Sequence, residues 1–368
     1  RTELECIERT CRQSDSSSST LATPPEPPAL PPRQRASKLE GNAMKMSVRE
    51  AINLTLHEEM VRDPRVVIMG EDVASGQGGV YGVTAGLTEK FGVARVIDTP
   101  ITESAIVGAA GGAALTGLRP VAELMFIDFL GVCLDQLLNQ IAKFRYMFGG
   151  QARTPLVIRT MIGAGEGTGP QHSQILYPML AAIPGIKVVA PSNAADAKGL
   201  LAEAIRQDDP VVFCEHKALY MDECEVPEGD YVIPFGKART VVQGTDITLC
   251  GLSRMAVLAE QAAAELAAEG ISAEVIDPRT LSPLDEESIL ASVSKTGRLV
   301  VVDESNPLCS MASEISGMVA EFGFDYLDAP VQRVTAPHTP VPATPCLEKE
   351  YVPSVADIVR AAKKALAY

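Results

Sequence analysis

Short apolar runs alternate with longer stretches of helical spacing along most of this sequence. The runs are rich in β-branched residues and are bounded by glycine, proline or polar residues, which predicts strands. The first set of predicted strands covers residues 66–69, 95–97, 121–124, 156–159, 187–189 and 211–213. The predicted helices between them cover residues 47–62, 85–91, 103–115, 128–146 and 193–206, and Ser47-Val-Arg-Glu50 is a capping box that opens the first of them. This alternation predicts a mostly parallel sheet with helices on both faces.

A second, smaller alternating set follows. Its predicted strands cover residues 247–250, 273–276 and 299–302, and its helices cover residues 255–268, 285–294 and 354–366. Residues 223–237 contain two prolines and few periodic apolar positions, so they are interpreted as a linker. We therefore predict two α/β domains in series, at residues 44–222 and 238–368, preceded by an extension at 1–43.

The extension differs in composition from the rest of the chain. Its serine-rich residues 14–19 and the prolines between 24 and 32 cannot form a packed core, which predicts disorder. It has no apolar stretch of the kind found in secretory signals. Glutamates at positions 3, 5, 8 and 26 disfavour a transit peptide, so we interpret the segment as an upstream extension or a cloning remnant.

Composition narrows the classes of function. The 368 residues are 46% hydrophobic, enough for two domains of about 150 residues each. A net charge of −15 argues against nucleic acid or an anionic membrane as a partner. Eight cysteines form no C-x-x-C pair, and most of those beyond residue 100 lie in apolar runs, which is typical of reduced intracellular proteins. We predict a cytoplasmic location, with a mitochondrial or plastid matrix as the alternative if the extension is a transit peptide.

Glu103 is the first candidate for chemistry. It ends the run Val96-Ile-Asp-Thr-Pro-Ile-Thr-Glu103 and is followed by the small residues Gly108-Ala-Ala-Gly-Gly-Ala-Ala114. An apolar strand therefore delivers a carboxylate into the first turn of a helix that a flat ligand or another backbone can approach closely. Such a carboxyl is expected to be buried and to need a partner. The alternative is an ordinary first-turn acid that the helix dipole favours.

Two other candidates follow predicted strands. Phe129, in Phe126-Ile-Asp-Phe129, can wall a planar ligand, although a phenylalanine there also suits the core. His172 lies in the glycine-rich segment 162–174 between Gln171 and Gln174, which fits an acid–base residue on a mobile loop. An idle histidine in solvent is the alternative.

Several familiar motifs are missing from the sequence. Gly76-Gln-Gly-Gly79 does not match the dinucleotide fingerprint, and no Walker loop, serine elbow, H-E-x-x-H or zinc spacing occurs. With only 4 histidines, a multi-histidine metal centre is not expected. The chain also lacks a Gly-Asp-Gly paired with a later asparagine, the usual anchor of magnesium and thiamine diphosphate.

Segments along the chain resemble one family. They include Gly70-Glu-Asp-Val73, Asp98-Thr-Pro-Ile-Thr-Glu103 and Gln171-His-Ser-Gln174, and also residues 117–123, 142–150, 196–201, 213–217, 279–285 and 336–340. Together they are similar to the β subunit of the E1 component of 2-oxo acid dehydrogenase complexes, which is transketolase-like. The resemblance runs from about residue 46 to the end. Residues 123–140 resemble the acetoin dehydrogenase branch most, with pyruvate dehydrogenase as the near alternative.

The resemblance implies roles for the candidates in binding thiamine diphosphate. Glu103 matches the glutamate that hydrogen-bonds N1′ of the aminopyrimidine and promotes removal of the C2 proton. Phe129 matches the aromatic residue that packs on the pyrimidine, with Ile101 and Met125 as flanking walls. His172 matches a histidine that positions substrate and passes the acyl group to the lipoyl arm. Glu71 is expected to belong to a proton-relay network between two active sites.

The resemblance also implies a metal and partners. A structural potassium site of some relatives is matched by Leu156, Ala204, Ile205, Gln207 and Asp209, although Gln207 replaces an acidic residue. The missing magnesium anchor implies an E1 α subunit that holds magnesium and diphosphate, in an α2β2 heterotetramer docked on a lipoyl-bearing E2 core. Acetoin is the expected substrate, and pyruvate or a branched 2-oxo acid is the alternative.

Two further functions are compatible with the sequence. One is an assembly subunit that only docks the α subunit to E2, which the presence of Glu103 and His172 disfavours. The other is a single-chain transketolase-like enzyme, which the missing Gly-Asp-Gly anchor disfavours.

Overall fold

The N-terminal capping signal is present in the structure. The structure is a computed structural model that describes residues 43–368. Its first strand, β1 (Ala43–Ser47), leads directly into helix α1 (Val48–Arg62). The Ser47 side chain accepts the N–H of Glu50, and the Glu50 carboxylate accepts the N–H of Ser47, so the predicted capping box is confirmed. The disorder predicted for residues 1–43 lies outside the described residues, except at Ala43.

The first half of the chain builds a parallel sheet. Its strands in chain order are β2 (Val66–Gly70), β3 (Val96–Asp98), β4 (Arg119–Phe126), β5 (Val157–Ile162), β6 (Lys187–Val189) and β7 (Val211–His216). They lie side by side in the order β6-β7-β5-β4-β2-β3 and are all parallel. The helices are α2 (Leu87–Phe91), α3 (Glu103–Leu115), α4 (Leu130–Asp135), α5 (Phe144–Met147), α6 (Tyr177–Ala181) and α7 (Ala194–Arg206). Strand β8 (Glu223–Pro227) pairs antiparallel with β1 outside this sheet.

The second half builds a smaller sheet of five strands. These are β9 (Arg239–Val242), β10 (Ile247–Gly251), β11 (Ala273–Asp277), β13 (Leu299–Asp303) and β14 (Gln332–Thr335), with β12 (Thr280–Ser282) between β11 and β13 in sequence. They lie in the order β14-β13-β10-β11-β9, with β9 antiparallel to β11. The helices are α8 (Arg254–Ala268), α9 (Glu286–Thr296), α10 (Met311–Phe322), α11 (Pro345–Tyr351) and α12 (Val355–Leu366). The predicted class, two α/β units in series, is confirmed.

The two units are joined by a strand and by a shared core. Strand β12 pairs antiparallel with β6 and is the seventh strand of the first sheet. One buried apolar cluster contains residues of both sheets, such as Val188 and Val301. Within residues 43–368, no helix is long and apolar enough to cross a membrane.

The single helix predicted at residues 128–146 is wrong. The segment begins with a 3-10 turn (Ile127–Phe129) and α4, continues as a π-helix (Gln136–Ile141) and ends in α5. Close packing accompanies the π-helical turns: a Cβ at Gly111 of α3 would lie only 2.7 Å from Cγ1 of Ile141. Helical periodicity in the sequence does not distinguish a π-turn from an α-turn.

The linker predicted at residues 223–237 is not free of regular structure, because its first five residues form β8. Residues 223–226 alternate polar and apolar side chains, but the run is only four residues long and ends at Pro227, so the strand signal is short. Pairing with β1 supplies the hydrogen bonds instead, and Lys45 of β1 forms an ion pair with Glu223 at 2.6 Å.

Candidate active site

The candidate residues lie just after the carboxyl ends of strands in the first sheet. Glu103 follows β3, Phe129 follows β4, and the glycine-rich segment with His172 follows β5. Strands β3, β4 and β5 are parallel members of one sheet, so their carboxyl ends face the same edge. Crevices at this edge are where open α/β sheets bind ligands.

Glu103 is the first residue of α3 and is only 8% exposed. Within residues 43–368, its carboxyl has no hydrogen-bonding or ion-pairing partner, and its electrostatic neighbours are Glu71 and Cys133. The predicted burial is therefore confirmed. Its oxygens keep some contact with solvent, so a ligand that shares a hydrogen bond with them can reach this position.

Small residues let α3 pack closely on the following segment. A Cβ at Gly108 would lie 3.3 Å from Cγ of Gln136, and one at Gly111 would collide with Ile141. The oxygen Oε1 of Gln136 is also buried and has no hydrogen-bond partner. Two polar groups beside the start of α3, on Glu103 and Gln136, thus lack partners among the described residues.

Glu71 lies close enough to Glu103 for the charge of one carboxyl to act on the other. It follows β2 and is half-buried. Burial raises the pKa of Glu71 above its ordinary value, and the neighbouring charge of Glu103 adds to this effect. Glu71 therefore holds its proton more tightly than an exposed glutamate does.

The rings of His172, Phe126 and Phe129 form an aromatic cluster after the ends of β4 and β5. The His172 ring lies edge-on to Phe126, with centroids 4.9 Å apart, and to Phe129, with centroids 5.6 Å apart. Phe126 and Phe129 are themselves edge-to-face at 6.3 Å. The structure therefore brings Phe129 and His172 together. It adds Phe126, which the sequence motif contained but which we had not assigned to the site.

The two predicted flanking walls differ in their surroundings. Met125 is half-buried on β4 and packs against the buried cluster that contains Phe126. Ile101 is 77% exposed and therefore walls nothing in the single chain. An exposed isoleucine two residues before the buried Glu103 leaves this side of the site open to an additional molecule.

Lys217 is a site residue that the sequence analysis missed. It is only 2% exposed, and its ammonium donates to Thr168 Oγ1 at 2.7 Å and to the carbonyl of His172. Burial lowers its pKa below the ordinary lysine value. The same ammonium lies 5.6 Å from the centre of the Phe126 ring. Lys217 thus contacts both the backbone of His172 and the Phe126 ring, and it fixes the position of that backbone.

Asp128 fixes the other end of the histidine turn. Its Oδ1 accepts the N–H of Ser173 and of Gln174 at 3.2 Å each, and the Gln174 amide at 2.9 Å. The second oxygen, Oδ2, is buried without a partner. The turn that carries His172 is therefore tied both to Asp128 beside Phe129 and to Lys217.

A buried charge network lies under the aromatic cluster in the sheet. Arg159 of β5 is fully buried and donates to Glu215 through two nitrogens at 2.7 Å and to Glu123 at 2.8 Å. Tyr220 donates to the same Glu215 at 2.7 Å. Although burial opposes its charge, the two carboxylates hold the pKa of Arg159 above its ordinary value. No local sequence signal marks this network, because Glu123, Arg159 and Glu215 lie on three different strands.

The predicted potassium site does not form an open ring of oxygens. Its residues lie around the end of α7 and the start of β5: Leu156, Ala204, Ile205, Gln207 and Asp209. The Arg119 guanidinium donates through Nη1 to the carbonyls of Ile205 at 2.9 Å and Gln207 at 2.8 Å. The Arg119 guanidinium therefore already donates hydrogen bonds to two of the residues expected to be potassium ligands.

The remaining expected ligands are also engaged. The Leu156 carbonyl accepts the N–H of Val211 at 2.9 Å, and the Ala204 carbonyl accepts the N–H of Gln207 at 3.3 Å. The Asp209 carboxylate pairs with Arg145. Each of these carbonyls keeps a second lone pair, so the potassium site stays a prediction. Across residues 43–368, no group of three or more histidine, cysteine or acidic residues could hold a metal ion.

Family models match nearly the whole described chain. The model for the transketolase pyrimidine binding domain matches residues 44–223, and that for the transketolase C-terminal domain matches residues 236–358. A solved structure titled split gene transketolase, inactive beta4 tetramer, is similar with a TM-score of 0.73 and 25% identity. It covers 88% of this chain and 99% of its own.

Curated relatives are more similar still. The β subunit of acetoin:2,6-dichlorophenolindophenol oxidoreductase from Cupriavidus necator is 55% identical over 333 residues, covering 88% of this chain and 98% of the relative. The protein of the same name from Bacillus subtilis is 52% identical, covering 85% and 95%. The pyruvate dehydrogenase E1 component subunit beta of Rickettsia bellii is 46% identical, covering 87% and 98%. The chain therefore belongs to the transketolase-like family of oxidoreductase E1 β subunits that includes the acetoin and pyruvate dehydrogenase relatives.

Proposed function

We propose that this chain is the β subunit of a thiamine-diphosphate-dependent E1 dehydrogenase that acts on acetoin and passes the acyl group to a lipoyl-bearing E2. The observation that carries the proposal is Glu103, a carboxyl 8% exposed and without a hydrogen-bond partner among residues 43–368. Such a carboxyl can share a proton with N1′ of an aminopyrimidine: the protonated acid donates to the ring nitrogen, and the carboxylate accepts from that nitrogen once it carries the proton. The aromatic rings of Phe126 and Phe129, at the carboxyl end of the neighbouring strand β4, suit a flat heterocycle.

The residues present fit the pyrimidine half of the cofactor. When bound, thiamine diphosphate supplies a carbon nucleophile that adds to the substrate carbonyl. Glu103 would hold and exchange a proton at N1′ of the aminopyrimidine, which is general acid–base work by a buried carboxyl. Phe129 and Met125 would flank the ring, and Ile101 would do so from the open side. Glu71 beside Glu103 would take part in proton relay.

His172 is proposed to orient the substrate and to assist acyl transfer to the lipoyl arm. It lies on the segment that follows β5 and is half-buried against Phe126 and Phe129. Its backbone is fixed by Lys217 and its turn by Asp128. A histidine fixed in this way presents the same ring edge in each turnover, as positioning of a substrate requires.

The other half of the cofactor site is proposed to come from an α subunit in an α2β2 heterotetramer. The sequence has no Gly-Asp-Gly and asparagine pair with which to hold magnesium and diphosphate. The curated relatives carry the word subunit in their names, which supports a partner chain. An exposed Ile101 next to a buried Glu103 is expected where a second chain closes a shared site.

The decisive experiment is turnover by this chain co-purified with its α subunit. Acetoin, pyruvate and branched 2-oxo acids are offered in turn, with thiamine diphosphate, magnesium and 2,6-dichlorophenolindophenol as acceptor. We expect acetoin to have the highest kcat/KM. Glu103→Gln should lower kcat by roughly 10²–10⁴-fold, whereas Glu89→Gln, at an exposed site on α2, should not. Full activity of the Glu103 variant would instead support an assembly subunit.

A further inference from the structure

The segment that carries His172 is held by the second domain. Residues 163–169, between β5 and the histidine turn, contain four glycines. At its start the N–H of Ala164 donates to Glu304 at 2.7 Å, and the Ala164 carbonyl accepts from Arg254 at 3.2 Å. Glu304 is buried and also contacts His216 at 2.9 Å. Burial works against its charge, yet His216 and the N–H of Ala164 hold the pKa of Glu304 below its ordinary value.

Glu348 grips the middle of the segment. One carboxylate oxygen accepts the N–H of Gly165 at 2.8 Å, and the other accepts the N–H of Gly167 at 2.9 Å. Both glycines have positive φ, 121° and 69°, so their N–H groups converge on one carboxylate. Glu348 is 5% exposed in the first turn of α11. Both carboxylate oxygens therefore bind backbone N–H groups of the first domain and do not cap α11.

Hydrogen bonds connect the backbone held by Glu348 to the aromatic cluster. Thr168 follows Gly167 and donates through Oγ1 to the carbonyl of His172 at 3.1 Å. Lys217 donates to both Thr168 and His172. Displacing Gly167 therefore displaces the backbone that sets the His172 ring against Phe126.

We propose that Glu348 is a positioning residue for the active site: its carboxylate holds the glycine segment so that His172 keeps its place against the aromatic cluster. The inference rests on the function proposed above for His172. It assigns part of the active-site architecture to the second domain, from a residue 183 positions away from Gly165 in the sequence. Glu348 acts through the backbone and not on substrate.

The first test measures the position of His172 in the full chain. The sequence has only 4 histidines, so histidine-labelled protein gives few imidazole resonances, and His172→Gln identifies the one required. Glu348→Gln keeps the volume but replaces one acceptor oxygen by a donor that faces an N–H. We expect the His172 resonance to shift and the amides of Gly165 and Gly167 to exchange faster. Glu350→Gln, an exposed change on the same helix, should alter neither.

The second test measures turnover of the same variants together with the α subunit. A misplaced reactive group costs rate, so Glu348→Gln should lower kcat by roughly ten- to a hundredfold. Its KM for thiamine diphosphate should stay at the wild-type value, because Glu103 is untouched. Glu348→Asp keeps the charge but is shorter, and should give an intermediate kcat. It also replaces Glu348→Gln in both tests if that variant fails to fold.

Two results would overturn the inference. One is an unchanged His172 resonance in Glu348→Gln. The other is a shifted resonance with wild-type kcat, which would show that the placement of His172 by Glu348 has no effect on turnover. Absence of thiamine-diphosphate-dependent turnover in the wild-type complex would count against the proposed function alone, because the resonance comparison decides separately whether Glu348 fixes His172.

Discussion

The His172 ring lies edge-on against Phe126, with an angle of 84° between the ring planes. Phe126 is 7% exposed at the end of β4, so the contact ties a residue after β5 to the neighbouring strand. Edge-to-face pairs contribute about 0.5–1.5 kcal/mol beyond the area they bury. This pair therefore stabilises one ring orientation of a histidine that otherwise lies in a glycine-rich segment.

Phe126→Leu tests this contact. Leucine fills part of the volume but has no aromatic edge or face, so we expect a loss of about 1–2 kcal/mol in the free energy of unfolding. Turnover should fall by about tenfold, because His172 loses one of its two ring neighbours. Chemical denaturation and steady-state kinetics provide the measurements. Phe324→Leu, at a ring that is 71% exposed, should leave both quantities near wild type, and equal turnover in the two variants would contradict the role of the contact.

Gly111→Ala tests the close approach of α3 to the π-helix. The added Cβ would lie 2.7 Å from Ile141, so overpacking should lower the free energy of unfolding by about 1–3 kcal/mol. Gly112→Ala is the matched control, because a Cβ there meets nothing within 4 Å. That variant should gain about 0.5–1 kcal/mol from the better helix propensity of alanine. We therefore expect the free energy of unfolding, measured by urea denaturation, to fall in Gly111→Ala and to rise in Gly112→Ala. A change of the same sign in both variants would contradict the close approach.

Arg159→Leu tests the buried charge network. The substitution leaves Glu123 and Glu215, which are 4% and 1% exposed, without their cation. We expect a loss of about 3–5 kcal/mol in the free energy of unfolding, the usual cost of an uncompensated buried charge. Replacing all three residues with apolar ones of similar volume should recover most of that loss. Should the single variant unfold at the wild-type denaturant concentration, the network contributes nothing to stability.

Glu71→Gln tests how the acid pair depends on pH. Burial, followed by Glu103 and other nearby carboxylates, raises the pKa of Glu71 above its ordinary value of 4.5. The folded chain therefore binds the Glu71 proton more tightly than the unfolded chain does. Ionised Glu71 destabilises the folded state. This destabilisation is absent at low pH and grows as the pH rises through the pKa of Glu71 in the folded state. Removing the charge should therefore raise the melting temperature at pH 7 relative to wild type, and not at pH 4.

Glu89→Gln, at an exposed position of α2, serves as the control for this comparison. It reports the effect of the same substitution in solvent at each pH. A melting-temperature difference for Glu71→Gln that is equal at pH 4 and pH 7 would show that Glu71 is not destabilised by its neighbours in the folded state.

Much of the fold could be predicted because its signals are local. The α1 capping box spans four adjacent residues, and Glu103 is marked by the apolar strand before it and the small residues after it. Strands β12 and β14 were not predicted, because three or four residues carry too little periodicity and their existence depends on pairing. Lys217 and Glu348 were missed for a related reason: their contacts to His172 and Gly165 span 45 and 183 positions.

The pairing of β12 with β6 determines how the chain can be divided. A truncation after residue 237 would remove Thr280–Ser282 and leave the backbone of Lys187–Val189 without its antiparallel neighbour. An unpaired strand edge is a template for association with other chains. The N-terminal fragment should accordingly self-associate when expressed alone. Scanning calorimetry of the intact protein should give one cooperative transition, because the two halves share the β12–β6 pairing and one buried apolar cluster.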